Sequence, residues 1–255
     1  MRVLLVTLAI GSDYYAFYRF TFMKSQEAYA KRHGYDFHVM THFPEVSFLK
    51  KDIQQNRGNI TMHKILVCSQ EWSENYDFIV FIDADILIHP DAPPIHSCMD
   101  FGDTIGIVDE FSQPTPERRI ALQAKNGWET SATEYHALCG FQLETPYALN
   151  TGVLVLQPKK HRDLLEQIFS RYISECGLHP RGDIYEQTAI GYELQKANCF
   201  TRLPNKFNTL WAIHKWDTPE LNLKEFFDNT WFLHFAGKVD MEAIPSLLKE
   251  YKGLY

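Results

Sequence analysis

Tyr76-Asp77-Phe78-Ile79-Val80-Phe81-Ile82-Asp83-Ala84-Asp85-Ile86-Leu87-Ile88 is the stretch on which the fold turns. A continuous apolar run of this kind reads as a strand buried on both faces, as in a parallel sheet covered by helices. Two carboxylates at its end have no packing reason to be there. Side chains alternate along a strand, so Asp83 and Asp85 are expected on one side with Ala84 on the other, within reach of one hard divalent cation. Mg²⁺ or Mn²⁺ fits this donor type. Such ions take few protein carboxylates and complete their shell with substrate phosphates, which points to a phosphate-bearing ligand. The plainer alternative is two solvated aspartates capping a turn ahead of Pro90.

Working outward, 255 residues with 45% hydrophobic content fit one packed α/β domain. Twenty-five Lys and Arg against 32 Asp and Glu leave a net charge of -7. That balance supplies no basic field for nucleic acid and no polybasic membrane anchor. An anionic substrate must then be held by a local device such as a metal. The five cysteines, Cys68, Cys98, Cys139, Cys176 and Cys199, are odd in number and contain no C-x-x-C pair, which favours reduced thiols in a cytoplasmic setting. Met1 to Gly11 is short, β-branched and without a small-residue cleavage pattern, so it reads as a first strand rather than a signal peptide. No apolar stretch approaches the roughly 20 residues that a membrane helix needs.

Strand and helix signals alternate through the N-terminal half, which argues for a parallel sheet with crossover helices. Val3 to Ile10 is a strand, Phe17 to His33 a helix stopped at Gly34, and Tyr35 to Met40 a second strand. Met62 to Trp72 reads as a helix before the acidic strand, and Ile105 to Val108 as a further strand. Phe111 to Tyr147, rich in Pro, Thr, Gln and isolated aromatics, reads as a long binding loop. Ala148 to Leu156 returns to a strand. His161 to Cys176 and Ile184 to Ala197 have helical patterns, and Cys199 to Tyr255 reads as short strands and loops closed by a helical tail from Ile244.

Five phrases in order across nearly the whole chain resemble glycosyltransferase family 34, the galactosyl- and xylosyltransferases of the GT-A fold. They are Glu27-Ala28-Tyr29-Ala30-Lys31-Arg32-His33-Gly34-Tyr35-Asp36; Lys64 to Asp85; Asn150-Thr151-Gly152-Val153; Glu186-Gln187-Thr188-Ala189; and His234-Phe235-Ala236-Gly237-Lys238. Family 8 shares the acidic triplet and a similar histidine phrase. Beside typical family 34 members the sequence is shorter and reads as a minimal, soluble version, expected to do without their N-terminal anchor and stem. The resemblance implies an α/β GT-A fold: a Rossmann-like, mostly parallel central sheet flanked by helices, with a small antiparallel element near the acceptor side. It implies a single domain over residues 1–255, with a nucleotide-binding half to about residue 110 and an acceptor-binding half beyond it.

The implied activity is metal-dependent transfer of a sugar from a nucleotide-diphosphate sugar, a UDP-sugar by preference, to a glycan acceptor with retention of configuration. Asp83, Asp85 and His234 would hold Mn²⁺ or Mg²⁺, which neutralises the departing diphosphate. Thr7, Ala9 and Gly11 at the end of the first strand would meet the base and ribose, with Ala84 beside them. Lys64 is assigned either to the diphosphate or to an aspartate. Gly237 lets backbone approach the ligand and Lys238 offers an ammonium to the β-phosphate. Asn150, Asp183, Glu186 and Gln187 form the implied sugar face: Glu186 or Asp183 as nucleophile, or Gln187 in a front-side mechanism. Asp183 and Glu186 also fit a purely structural helix N-cap and capping-box pair. Trp128, Tyr135, Trp211 and Trp216 could stack on sugar rings or fill core.

Three other functions share parts of this pattern. A haloacid-dehalogenase-type phosphohydrolase also places Asp-x-Asp after a buried strand, but the following Ile86-Leu87 and the absence of a later lysine or acidic-pair motif argue against it. A nucleotidyltransferase would want a Gly-rich basic loop near the N-terminus. A catalytically silent nucleotide- or carbohydrate-binding module would keep the fold without needing the acidic, histidine and lysine phrases together.

Overall fold

The computed structural model describes residues 1–46 and 57–255. Its central sheet has six strands: β1 (Val3–Leu8), β2 (Asp36–Met40), β3 (Phe78–Ile82), β5 (Ile105–Asp109), β6 (Leu149–Leu156) and β7 (Phe200–Arg202). Their order across the sheet is β2-β1-β3-β6-β5-β7. β1 runs parallel to β2 and β3, and β7 parallel to β5, whereas β6 is antiparallel to both β3 and β5. The sheet is therefore mixed, with its parallel pairs on either side of one reversed strand. A second sheet of three short strands, β4 (Ile86–Ile88), β8 (Thr209–Leu210) and β9 (Phe232–His234), has the order β4-β9-β8. In it β4 pairs antiparallel and β8 parallel with β9.

β3 bears out the reading of a strand covered on both faces. Ile79 and Phe81 pack into one hydrophobic cluster, Val80 and Ile82 into another. Each such burial stabilises by about 1.5–3 kcal/mol, which makes this strand a rigid base for the acidic turn. Strand geometry ends at Ile82, however. Asp83 to Asp85 form a turn, closed by a hydrogen bond from Ile86 N to the Asp83 carbonyl at 3.3 Å, and the chain then enters β4 in the second sheet. The two carboxylates share a side because of this turn rather than through the alternation of a continuous strand.

Several segments depart from their expected form. The Phe17 to His33 region is two helices, α1 (Ser12–Thr21) and α2 (Met23–His33), interrupted at Phe22, which is buried against Phe235 with ring centroids 5.8 Å apart. Met62 to Trp72 lies within two 3₁₀ segments, Arg57–Ser69 and Glu71–Asn75. Phe111 to Tyr147 contains the helices α3 (Pro116–Asn126) and α4 (Ala132–Ala137). α3 has Thr115 as N-cap, Pro116 at its start and Gly127 in the left-handed region at its end, and α4 carries a Ser131–Glu134 capping box. Beyond β6 come α5 (Pro158–Tyr172) and α6 (Tyr185–Lys196), then α7 (Trp211–Asp217), α8 (Leu223–Phe227) and α9 (Ile244–Glu250). Among the described residues no helix is long and apolar enough to cross a membrane.

Candidate metal and sugar-nucleotide site

Two strand pairings build the acidic centre. Asp83 N donates to the Gly152 carbonyl at 2.8 Å, extending the β3–β6 contact by one residue, and Phe235 N donates to the Asp85 carbonyl at 3.0 Å. β4–β9 pairing sets His234 opposite Ile86, directly beside Asp85. Residues separated by most of the chain thus converge. One ligand atom each from Asp83, Asp85 and His234 lies within 4.8 Å of the others. His234 Nε2 is 3.2 Å from Asp85 Oδ1 and 3.8 Å from Asp83 Oδ2. Its Nδ1 is 2.8 Å from Asn208 Oδ1.

Burial alone would pull the His234 imidazolium down, but the charge and hydrogen bond of Asp85, with the charge of Asp83, raise it above its ordinary value. Burial is the largest influence on the Asp85 carboxylate and disfavours its charge, but the charge and hydrogen bond of His234, with a backbone hydrogen bond and the charge of Lys64, together hold it below its ordinary value. The imidazole and the two carboxylates thus favour one another's charged forms. Two carboxylates and an imidazole suit a divalent ion such as Mn²⁺, with coordination positions left for phosphate oxygens. The Asn208 contact to the far ring nitrogen is the kind of partner that orients metal-ligating histidines.

The structure places Lys64 against the aspartate. It is buried, with Nζ 3.0 Å from Asp83 Oδ1, 3.6 Å from Glu186 Oε1 and 3.4 Å from Thr151 Oγ1. Burial disfavours its charge, yet Asp83 and Glu186 raise it above its ordinary value. Glu186 is pushed up by burial, against the pull of Lys64, and accepts from Thr151 Oγ1 at 2.8 Å. Its carboxylate is thus engaged with Thr151 and Lys64, and the capping-box reading fails: Ile184 is the N-cap of α6 and makes no side-chain cap bond. Asp183 lies apart, with its side chain 66% exposed and 3.4 Å from Arg181 Nε.

Gln187 and Asn150 do meet. Asn150 Nδ2 is 3.1 Å from Gln187 Oε1, and both amides reach the carboxylate of Glu110, which pairs with Arg119. Tyr135 is buried and its hydroxyl is 2.5 Å from Gln187 Nε2, so it positions an amide rather than offering a ring face. Trp211 is wholly buried core, packed with Phe227 and Phe235. Trp128 and Trp216 form an edge-on pair, ring centroids 5.6 Å apart and each about two-fifths exposed. The tip of Trp216 would lie 4.0 Å from a Cβ added at Gly237.

At the end of β1, Thr7 and Ala9 are buried, and Ala84 packs in the same cluster as Ala9. Gly11 is exposed at φ +100, a conformation that favours glycine, and leads into α1. Two adjoining cavities open here. One of about 230 Å³ is lined by Leu8, Ile10, Tyr14, Thr61, Lys64 and Phe81, the other of about 370 Å³ by Gly11, Ser12, Asp13, Tyr14 and Phe43. Tyr14, about two-fifths exposed, belongs to both. Gly237 at φ +82 and Lys238 at φ +61 form an exposed turn after His234.

Sequence reasoning passed over Asn208, Glu110, Arg119, Thr151 and Tyr14. Only Thr151 stood inside one of the five phrases, and nothing local marks Asn208 or Glu110 as neighbours of His234 or Gln187.

No protein-family model matches the chain, and no curated protein matches it by sequence. Solved structures do. A glycosyltransferase involved in glycosylation of the major capsid of PBCV-1 matches with TM-score 0.59 at 14% identity, over 98% of this chain and 100% of that one. Galactosyltransferase LgtC in complex with donor and acceptor sugar analogs matches with TM-score 0.58 at 16% identity, over 99% and 100%. An active-site mutant of LgtC, glutamine changed to glutamate, gives TM-score 0.59 at 13% identity, over 99% and 100%. At such identities the likeness is one of architecture. With its mixed sheet, flanking helices and acidic turn after a central strand, the chain has the α/β fold of the GT-A glycosyltransferases.

Proposed function

We propose that this protein is a metal-dependent glycosyltransferase that moves a sugar from a UDP-sugar to a glycan acceptor with retention of configuration, in one domain with a nucleotide half to about residue 110 and an acceptor half beyond it. The observation that carries the reading is the convergence of Asp83, Asp85 and His234, within 4.8 Å, beside the cavities at the end of β1. The five sequence phrases favour family 34 as the finer placement, with the histidine phrase shared with family 8. A bound Mn²⁺ or Mg²⁺ supplies positive charge to the departing diphosphate.

The chain's own groups divide the remaining work. Gly11 and Tyr14 border the space for base and ribose, and Lys64 holds Asp83 in place from behind. Gly237 and Lys238 offer a close backbone approach and an ammonium on the phosphate side. Asn150 and Gln187 face the sugar. Gln187 uses both amide hydrogens on Glu110 and Tyr135 and one carbonyl lone pair on Asn150, so one lone pair remains to stabilise positive charge developing at the anomeric carbon. This favours a front-side mechanism over attack by Glu186, whose carboxylate is held by Thr151 and Lys64. The LgtC variant altered at an active-site glutamine supports a catalytic place for such a residue.

The test is Mn²⁺-dependent release of UDP from a panel of UDP-sugars with glycan acceptors. Asp83→Asn and Asp85→Asn should each lower turnover by at least about a hundredfold, the scale of losing one charge-stabilising group. UDP binding with no turnover across the panel would leave a nucleotide-binding module instead.

A further inference from the structure

Glu110 directly follows β5 and is 5% exposed. Its Oε1 accepts from Arg119 Nη2 at 3.2 Å. Its Oε2 accepts from Asn150 Nδ2 at 2.9 Å and from Gln187 Nε2 at 3.1 Å. A carboxylate has no proton to give, so any amide facing it must present its NH₂ group. That requirement propagates. With Nδ2 turned to Glu110, Asn150 directs Oδ1 the other way, where it accepts from Asn208 Nδ2 at 2.7 Å and from Gly152 N at 3.0 Å. With its own Nδ2 used there, Asn208 presents Oδ1 to His234 Nδ1 at 2.8 Å. An oxygen acceptor requires a proton on Nδ1. The neutral ring then keeps its lone pair on Nε2, the nitrogen that faces Asp85 and Asp83.

We propose that Glu110, clamped by Arg119, is a positioning residue that sets the tautomer of His234 through Asn150 and Asn208, and thereby the affinity of the Asp83–Asp85–His234 cluster for a divalent cation. Amide groups are nearly isosteric under a flip, so shape alone does not choose their direction. The carboxylate at one end and the Gly152 N–H in the middle make the choice. Reversing the two amides of Asn150 and Asn208 would present Asn208 Nδ2 to Nδ1 and move the proton to Nε2, where it blocks ligation. A branch of the same network fixes Gln187, so loss of turnover in a Glu110 variant would not separate the two roles; metal affinity does.

The proposal rests on the metal reading of the cluster, and its test separates the two. Mn²⁺ is titrated into the full chain without nucleotide or sugar, with free Mn²⁺ followed by electron paramagnetic resonance. Glu110→Gln and Asn208→Ala should each weaken binding by about 10–100-fold, the usual cost of losing a partner behind a metal ligand. The double variant should bind no more weakly than Asn208→Ala alone, because the effect travels through Asn208. Losses that multiply, or a folded Glu110→Gln that binds within twofold of the unaltered protein, would overturn the relay. No Mn²⁺ binding by the unaltered protein, or none lost in His234→Ala, would overturn the metal reading and the relay with it.

Discussion

Gly152→Ala tests the packing that brings His234 to the acidic turn. Gly152 lies in β6, and its φ is outside the left-handed region, so alanine meets no backbone penalty there. Space is the obstacle. An added Cβ would stand 2.4 Å from His234 Cε1, 2.7 Å from Nδ1 and 3.0 Å from Asn150 Oδ1. Ordinary contact between such atoms is about 3.5–4 Å, so the imidazole must retreat by about an ångström. The ring cannot retreat without changing its 3.2 Å approach to Asp85 and its 2.8 Å bond to Asn208. Overpacking of this kind costs about 1–3 kcal/mol, which for a chain of this size lowers the melting temperature by about 2–12 °C. Mn²⁺ affinity should fall by at least about tenfold, as for other disturbances of ligand orientation. The assay is a thermal melt with a Mn²⁺ titration on Gly152→Ala, His234→Ala and the double variant. In the double variant the ring is gone, so Gly152→Ala should cost less than about 0.5 kcal/mol there. A Gly152→Ala protein that keeps both its melting temperature and its Mn²⁺ affinity would refute the close approach, and with it the placement of His234.

Buried charge sets two further outcomes. Asp109 is raised by burial to about 6, despite hydrogen bonds from Ala148 N and Phe111 N, both to Oδ1. A carboxyl raised in the folded state contributes stability below its unfolded value of 3.8 that is lost as pH rises through about 6. Asp109→Asn keeps an oxygen for both donors, so it should gain about 3 kcal/mol in urea unfolding at pH 8 and little at pH 4; an equal effect at both would contradict the assignment. Lys64→Met leaves the Asp83 and Glu186 carboxylates without their shared cation and should destabilise by about 3 kcal/mol at pH 8. Because burial already raises Glu186, the loss should shrink as pH falls; a loss constant with pH would speak against that triad.

What the sequence makes legible depends on how local each signal is. β3 is readable because an unbroken apolar run has few alternatives, and Asp83 and Asp85 because carboxylates at its end lack a packing role. β6, with its Asn150-Thr151-Gly152-Val153 phrase, and the closing His234 are readable too. The α3 and α4 helices are legible in principle, through Thr115-Pro116, Gly127 and the Ser131–Glu134 box, yet the isolated aromatics around them outweigh those caps and suggest a loop. The break at Phe22 depends on packing against Phe235, more than two hundred residues away, and no local pattern records it. Glu110 and Asn208 fail for the same reason. A buried carboxylate or amide is chosen for the partner that topology brings to it, and the β5–β6 pairing and the 3₁₀ turn Asn205–Phe207 become known only once the sheet is assembled. Asp183 shows the converse error: its spacing to Glu186 suits a cap, but α6 begins one residue later, at Tyr185 behind Ile184, and leaves Asp183 exposed beside Arg181.

Calorimetric titration of UDP into the protein, with and without Mn²⁺ and with Asp85→Asn alongside, addresses the central claim most directly. Tight binding that needs Mn²⁺, is abolished by chelator and falls by at least about tenfold in Asp85→Asn is the predicted result. UDP binding indifferent to Mn²⁺, to chelator and to Asp85→Asn would contradict it.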